Sequence, residues 1–280
     1  MQIGFIGTGS MGRILIEAFI EANTFLPSDI HVSNRTFSKA KELAEAYTGL
    51  HAHPSNISVA EEAQILFLCV KPLEFKKVID EISPVVRPQQ IIVSITSPVE
   101  IKDLEFLLPA KIAKIIPSIT NSAKSGASLM VAGERLHEEE KILLYNIMNT
   151  ISHPIWIDEK FTRVSSDIVS CGPAFMSYLL QRFIESAVEE TGISKETATD
   201  LASCMFIGMG ELLSQNRFSL TTLQERVCVP GGVTGAGLRI LENEVKDMFN
   251  QLFRETHHKF DEDIQFVNEM FYEKDQNKKV

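Results

Sequence analysis

Through the first half of the chain, short apolar runs alternate with longer amphipathic stretches, and in the second half only helical spacing remains. Residues 3–6 are apolar and break into glycines. Residues 13–23 then place Ile14, Leu15, Ala18 and Phe19 on one helix face, and residues 29–33 return to strand. The pattern continues with a helix over 38–47, a short strand over 50–52 and a further segment over 56–63. Residues 65–70 form a continuous apolar run, as expected of a central parallel strand covered on both faces. Helices over 75–82 and 99–108 and strands over 90–95 and 111–116 follow. Residues 126–131 read as an added edge strand, 138–151 as a helix and 154–157 as a last strand.

After Asp158 the apolar positions recur at helical spacing through 161–190, 195–215 and 237–260. The fold class is therefore α/β: a Rossmann-like dinucleotide-binding domain over 1–158, an all-helical domain over 159–262, and a C-terminal extension over 263–280 whose last residues, 277–280, fray. The near-continuous apolar character of 193–213 implies a helix buried on more than one side, which favours packing inside a dimer interface.

Composition narrows the partners more than the fold. A chain of 280 residues with 44% apolar and 23% charged content belongs with ordinary globular proteins. Its net charge of -10 presents nucleic acid with a mostly repulsive surface. No basic or apolar leader precedes the first strand, and no run approaches the roughly eighteen apolar residues that a span requires, so the expectation is a cytoplasmic protein with no membrane segment. Cys69, Cys171, Cys204 and Cys228 lack a CxxC spacing and read as reduced, mostly buried thiols. His257 and His258 lack the separation of a metal-binding helix pair, and no metal site is expected.

The chemistry concentrates first at Gly7-Thr8-Gly9-Ser10-Met11-Gly12, a strand-to-helix loop with the dinucleotide-binding spacing. Gly7 makes the turn, Gly9 lets backbone approach a pyrophosphate, and Gly12 lets the helix pack on the strand while its first amides face the anion. Where an acidic residue would select an unphosphorylated ribose, the chain has Asn34-Arg35-Thr36, and a guanidinium there favours NADPH over NADH. Val70-Lys71-Pro72 ends the central strand where ligands gather; Lys71 either approaches the cofactor or is solvated at the rim.

Two candidate sites fall in the helical half. Ser170-Cys171-Gly172-Pro173 reads as the opening of a helix, whose amides would either hold a carboxylate or form a plain structural cap. Residues 227–235 carry too many special-backbone residues for a routine helix interior, and Thr234 offers a hydroxyl beside exposed amides for an imine nitrogen or a carboxylate.

Taken together, the glycine loop, Asn34-Arg35-Thr36, Val70-Lys71-Pro72, Cys171-Gly172-Pro173-Ala174 and Pro230-Gly231-Gly232-Val233-Thr234 resemble the pyrroline-5-carboxylate reductase family over residues 1–252, and especially its branch encoded near bacterial competence genes. The resemblance implies a Rossmann domain, an all-helical dimerisation domain forming a homodimer, and NAD(P)H-dependent reduction of a cyclic imine to proline. It implies cofactor contacts at Gly7, Gly9, Ser10, Met11, Gly12, Asn34, Arg35, Thr36, Val70, Lys71 and Pro72. Substrate contacts are implied at Cys171, Gly172, Pro173, Gly231, Gly232, Val233 and Thr234, with Thr234 beside the pyrroline nitrogen.

The chain departs from the family pattern in places. Val229 and Val233 stand where the family has hydroxyls, Cys171 replaces a customary serine, and Pro117-Ser118-Ile119-Thr120 replaces a Pro-Asn-Thr-Pro turn expected near the same cleft. Each lost hydroxyl can cost about 1–3 kcal/mol of ligand hydrogen bonding. No Asp, Glu or His stands out as a dedicated general acid. The alternative function is accordingly a weakly active or inactive nucleotide-binding accessory protein associated with competence.

Overall fold

The computed structural model describes residues 1–272, which divide into two compact units, 1–172 with 256 onward and 173–255. The fraying expected for 277–280 lies outside the described residues.

The first unit is built on an eight-stranded sheet in the order β3-β2-β1-β4-β5-β6-β7-β8. In chain order its strands are β1 (Ile3–Ile6), β2 (Ile30–Ser33), β3 (His51–His53), β4 (Ile65–Leu68), β5 (Ile91–Ser94), β6 (Lys111–Ile116), β7 (Ala127–Ala132) and β8 (His153–Trp156). Neighbouring strands are parallel except for β6 against β7. Helices α1 (Ser10–Glu21), α2 (Phe37–Ala46), α3 (Asn56–Glu62), α4 (Phe75–Ile82), α5 (Ile101–Leu107) and α6 (Glu138–Met148) connect them. The strand expected at 126–131 is present but is not an edge: β8 covers it.

The unbroken apolar runs follow from two cores, one on each sheet face. Ile65 and Phe67 of β4 join Phe5, Phe19 and Leu144 on one face, whereas Leu66 and Leu68 join Val59, Phe75 and Ile79 on the other. Strand periodicity of two sends alternate side chains into each core, so both must be apolar. Phe5 stacks on Phe67 with ring centroids 5.1 Å apart, and full burial of each such ring is worth about 1.5–3 kcal/mol.

Beyond β8, α7 (Thr162–Ser166) runs through a π-helical turn (Asp167–Cys171) into α8 (Gly172–Thr191). The expected helix start at Ser170 is therefore corrected: Ser170 and Cys171 lie inside a continuous helical run, and Gly172 is itself helical at φ -50° and ψ -41°. The cause is Pro173, which has no N–H to give to the carbonyl of Val169 four residues earlier, and a wide turn accommodates that lost bond. Ser118 takes up the orphan, its hydroxyl donating to the Val169 carbonyl at 2.8 Å, while the Ser170 hydroxyl donates to the Pro117 carbonyl at 2.8 Å. The turn at 117–120 thus gives the helix its Pro117 carbonyl and Ser118 hydroxyl, and Ser118 is fully buried.

The second unit is helical: the body of α8, α9 (Lys195–Ser214), α10 (Leu220–Val227), α11 (Val233–Val245) and the start of α12 (Met248–Tyr272). Helix α10 is not evident in the apolar spacing. The single helix expected over 237–260 is two, broken at Lys246, whose φ of 31° and ψ of -112° no helix can hold. The far part of α12 belongs to the first unit, and what reads as an extension inserts Val267 and Phe271 into one of the sheet's cores.

The burial expected for 193–213 is corrected within one chain. Of α9, only Ala198 and Ala202 are buried, and they pack with Ile184 of α8, while Leu201, Met205, Phe206 and Ile207 are exposed. With Tyr178 and Phe183 of α8 and Ile240 and Leu241 of α11 also exposed, three helices of this unit present large apolar side chains to solvent. Cys204 shares this exposure, contrary to the expectation of mostly buried thiols. No helix among the described residues is long and apolar enough to cross a membrane.

Candidate active site

Strand β1 lies between β2 and β4, so the connections leaving β1 and β4 diverge to opposite sides of it. That reversal opens a crevice beyond the strands' carboxyl ends, where open parallel sheets bind their ligands. A cavity of about 560 Å³ occupies it, lined after β1 by Gly7 and Gly9, after β2 by Asn34, Arg35 and Thr36, and after β4 by Cys69, Val70 and Lys71. A larger open depression of about 820 Å³ against α6 and β8 contains none of these residues.

The glycines divide the work as their spacing implies. Gly7 has φ +99°, and a β-carbon there would meet the Cys69 carbonyl oxygen at 2.5 Å; at Gly12 it would meet the Gly7 carbonyl oxygen at 2.1 Å. A β-carbon on Gly9 would meet no atom within 4 Å, because that position faces the open cavity. Gly9 is also the N-cap of α1 and carries no side-chain cap, so the first amides of the helix are left for an anion. The Thr8 hydroxyl beside it is buried and has no hydrogen-bond partner among the described residues. A loop with an uncapped helix end, an unfilled cradle and an unpaired hydroxyl fits a nucleotide pyrophosphate.

Ser10 lines an adjoining hollow of about 210 Å³ together with Thr8, Gly9 and Lys39. Met11 is half-buried and Gly12 buried within α1, and Pro72 opens a 3-10 turn (Pro72–Glu74), so these three do not line the cavity. Asn34 is already committed: its side-chain oxygen accepts from the Thr8 amide at 3.1 Å and its nitrogen donates to the Thr36 carbonyl at 3.0 Å. It fixes the glycine loop against the turn after β2. Arg35 is exposed but paired, its guanidinium 2.8 Å from a Glu74 carboxylate oxygen.

Sequence reasoning misses several lining residues, namely Lys39, Lys77, Glu74, Glu81, Asn56 and Cys69. They come from different helices and loops, and no local spacing marks them. Their effect is electrostatic: Arg35, Lys39, Lys71 and Lys77 outnumber Glu74 and Glu81, giving an anion-binding crevice in a chain of net charge -10. Burial pushes the Cys69 thiol up, so the sulfur bordering the cavity is neutral.

Cys171 is half-buried in the π turn, where its sulfur accepts from Arg163 at 3.5 Å. Arg163 also pairs at 2.7 Å with the fully buried Asp167, which accepts from the Thr256 hydroxyl at 2.8 Å and so fastens α12 to this turn. In the second unit Gly231 has φ +73° and Gly232 is the N-cap of α11 without a side-chain cap. Val233 is 90% exposed and Thr234 half-buried in the first turn that follows.

A mostly parallel sheet with an anion-binding crevice at its topological switch, followed by helices that leave apolar side chains exposed, has the build of a two-domain nicotinamide-nucleotide oxidoreductase that dimerises. Comparison with known proteins makes this specific. Residues 159–263 match the family model for pyrroline-5-carboxylate reductase dimerisation, and residues 2–98 match the model described as NADP oxidoreductase coenzyme F420-dependent. The chain is 47% identical to ComE operon protein 4 of Bacillus subtilis over 97% of this chain and 100% of that protein. It is 30% identical to pyrroline-5-carboxylate reductase 3 of the same organism over 93% of this chain and 96% of that one. Among solved structures, the pyrroline-5-carboxylate reductase of Coxiella burnetii superimposes with a TM-score of 0.81 at 26% identity, covering 96% of this chain and 98% of that one.

The chain belongs to the pyrroline-5-carboxylate reductase family of NAD(P)H-dependent oxidoreductases. Within it, the likeness to ComE operon protein 4 ties the chain to the competence-operon branch. The matched NADP oxidoreductase model supports NADP(H) as the cofactor of its Rossmann-like half, and its helical domain is a dimerisation domain.

Proposed function

We propose that the chain reduces 1-pyrroline-5-carboxylate to proline as a homodimer. The observation that carries this reading is the pairing, in one chain, of the cationic switch-point cavity with an uncapped helix start bearing Thr234 inside the matched dimerisation domain. The 30% identity to a pyrroline-5-carboxylate reductase over nearly the whole length supports the same substrate.

When bound, the dihydronicotinamide supplies the hydride that the imine carbon accepts. The glycine loop holds the pyrophosphate through the first amides of α1, and Arg35 meets the charge on the adenosine ribose. Across 231–234, the amides at the start of α11 receive the substrate carboxylate, as an N-terminal helix turn does for any anion. The Thr234 hydroxyl hydrogen-bonds the ring nitrogen and orients the imine. A protonated imine needs no separate acid, so the protein's contribution is orientation and charge.

The test is NADPH oxidation by the purified protein with 1-pyrroline-5-carboxylate, and formation of proline is the expected result. NADPH binding without turnover above blank would overturn the reduction and leave a nucleotide-binding accessory protein, the outcome that Val229 and Val233 would then explain.

A further inference from the structure

The Arg35 guanidinium already has a carboxylate partner at the cavity. It lies 2.8 Å from the Glu74 carboxylate, which arrives from the 3-10 turn after β4. Both residues line the switch-point cavity together with Lys39, Lys71, Lys77 and Glu81. Glu81 has its own partner, accepting from the Asn56 side chain at 2.8 Å, and so is fixed toward α3. Glu74 is the carboxylate that meets the cavity's arginine.

In dinucleotide folds that select NADH, an acidic residue at the end of the second strand accepts from the ribose 2′-hydroxyl and repels a 2′-phosphate. Here the second strand ends in Asn34-Arg35-Thr36, and the acid comes from a different element altogether. We infer that Glu74 is a specificity-determining residue, competing with the 2′-phosphate of NADPH for Arg35 and accepting from the 2′-hydroxyl of NADH. This inference rests on the nicotinamide-nucleotide reading of the cavity. Binding NADPH requires the guanidinium to turn from Glu74 or to be shared with it, and the carboxylate stays beside the incoming dianion. Binding NADH leaves the ion pair intact. Arg35 and Glu74 thus pull the preference in opposite directions, and the chain accepts both cofactors with a reduced margin between them.

The experiment measures the Kd of NADPH and of NADH for the full-length protein by quenching of its single tryptophan or by calorimetry, with no substrate present. Glu74→Gln should tighten NADPH by about threefold and weaken NADH by a similar factor, the scale of an exposed charge contact. Arg35→Gln should weaken NADPH by about tenfold and leave NADH within about twofold, as expected when a charge-assisted phosphate contact is lost. In the double variant, Gln at position 74 should no longer tighten NADPH, since the competition has lost its object. If Glu74→Gln weakens NADPH, Glu74 orients Arg35 for the phosphate, and the inference fails. It fails equally if the ratio of the two constants is unmoved. Failure of wild-type protein to bind either nucleotide would overturn the cofactor reading itself, which separates the two.

Discussion

Replacing Gly9 or Gly12 by alanine adds the same methyl group three residues apart, and the structure assigns opposite consequences. At Gly12 the added carbon would lie 2.1 Å from the Gly7 carbonyl oxygen and 3.1 Å from the Cys69 β-carbon. An ordinary contact is about 3.4 Å or more, so α1 must lift from the strand by roughly 1 Å, and no rotamer relieves a clash between backbone atoms. Overpacking of this kind costs about 1–3 kcal/mol. At about 2 °C per kcal/mol for a chain of this size, Tm falls by roughly 2–6 °C.

At Gly9 the carbon enters empty space, and φ is -72°, which alanine adopts without strain. Stability should fall by no more than about 1 kcal/mol, the preference of an N-cap position for glycine over alanine. The methyl instead occupies the cavity where backbone must approach the pyrophosphate. Thermal unfolding and NADPH titration on the same samples separate the two. Gly9→Ala should keep its Tm within about 2 °C and lose at least about tenfold in NADPH affinity, the worth of one charge-assisted contact. Unchanged affinity in Gly9→Ala would refute the placement of the nucleotide in this loop, whatever happens at Gly12.

Other residues offer independent tests. Ser118→Ala removes the donor to the carbonyl that Pro173 leaves unpaired, in a fully buried setting; scanning calorimetry should show a loss of about 1–3 kcal/mol, and no loss would mean that water satisfies the carbonyl. Lys114 is buried in β6 with its ammonium 2.7 Å from Glu159, and burial lowers its pKa more than Glu159 raises it. The folded protein therefore releases this proton before the unfolded chain does, and wild type should gain stability relative to Lys114→Met as the pH climbs toward the ordinary lysine value of 10.5; parallel unfolding curves across that range would contradict the direction. Thr234→Val should lower turnover by about 5- to 150-fold, the worth of one lost hydrogen bond to a ligand, with NADPH affinity unchanged; equal turnover removes Thr234 from the mechanism. Ile207→Glu places a charge on the exposed apolar face of α9, and light scattering should report monomers; a persisting dimer would place the interface elsewhere.

Much of the first unit is legible because its signals are local. β4 and β6 are apolar runs ending at residues that stop a strand, and the glycine loop states a backbone requirement in three residues. The second unit reads less well. α10 hides in a polar stretch, Leu220–Val227, in which no residue is buried, and Lys246 breaks a helix although nothing in its residue type announces it. Ser170 looks like a helix start because a small residue and a nearby proline usually mark one. The partner that lets the helix run on instead, Ser118, stands 51 residues before Val169, whose carbonyl it satisfies.

By itself the sequence determines the order of strands and helices, the dinucleotide loop and the family likeness, because hydrophobic period and glycine spacing act over a few residues. Tertiary structure decides what these residues face. It gives Arg35 a carboxylate partner, spends the Asn34 amide on the glycine loop, and gathers lysines from separate helices around one cavity. It also leaves Leu201, Met205, Phe206 and Ile207 of α9 exposed among the described residues, which the same apolar run cannot reveal. The reason is physical: a side chain's charge and donors are set by its type, but their availability depends on neighbours brought together only by folding.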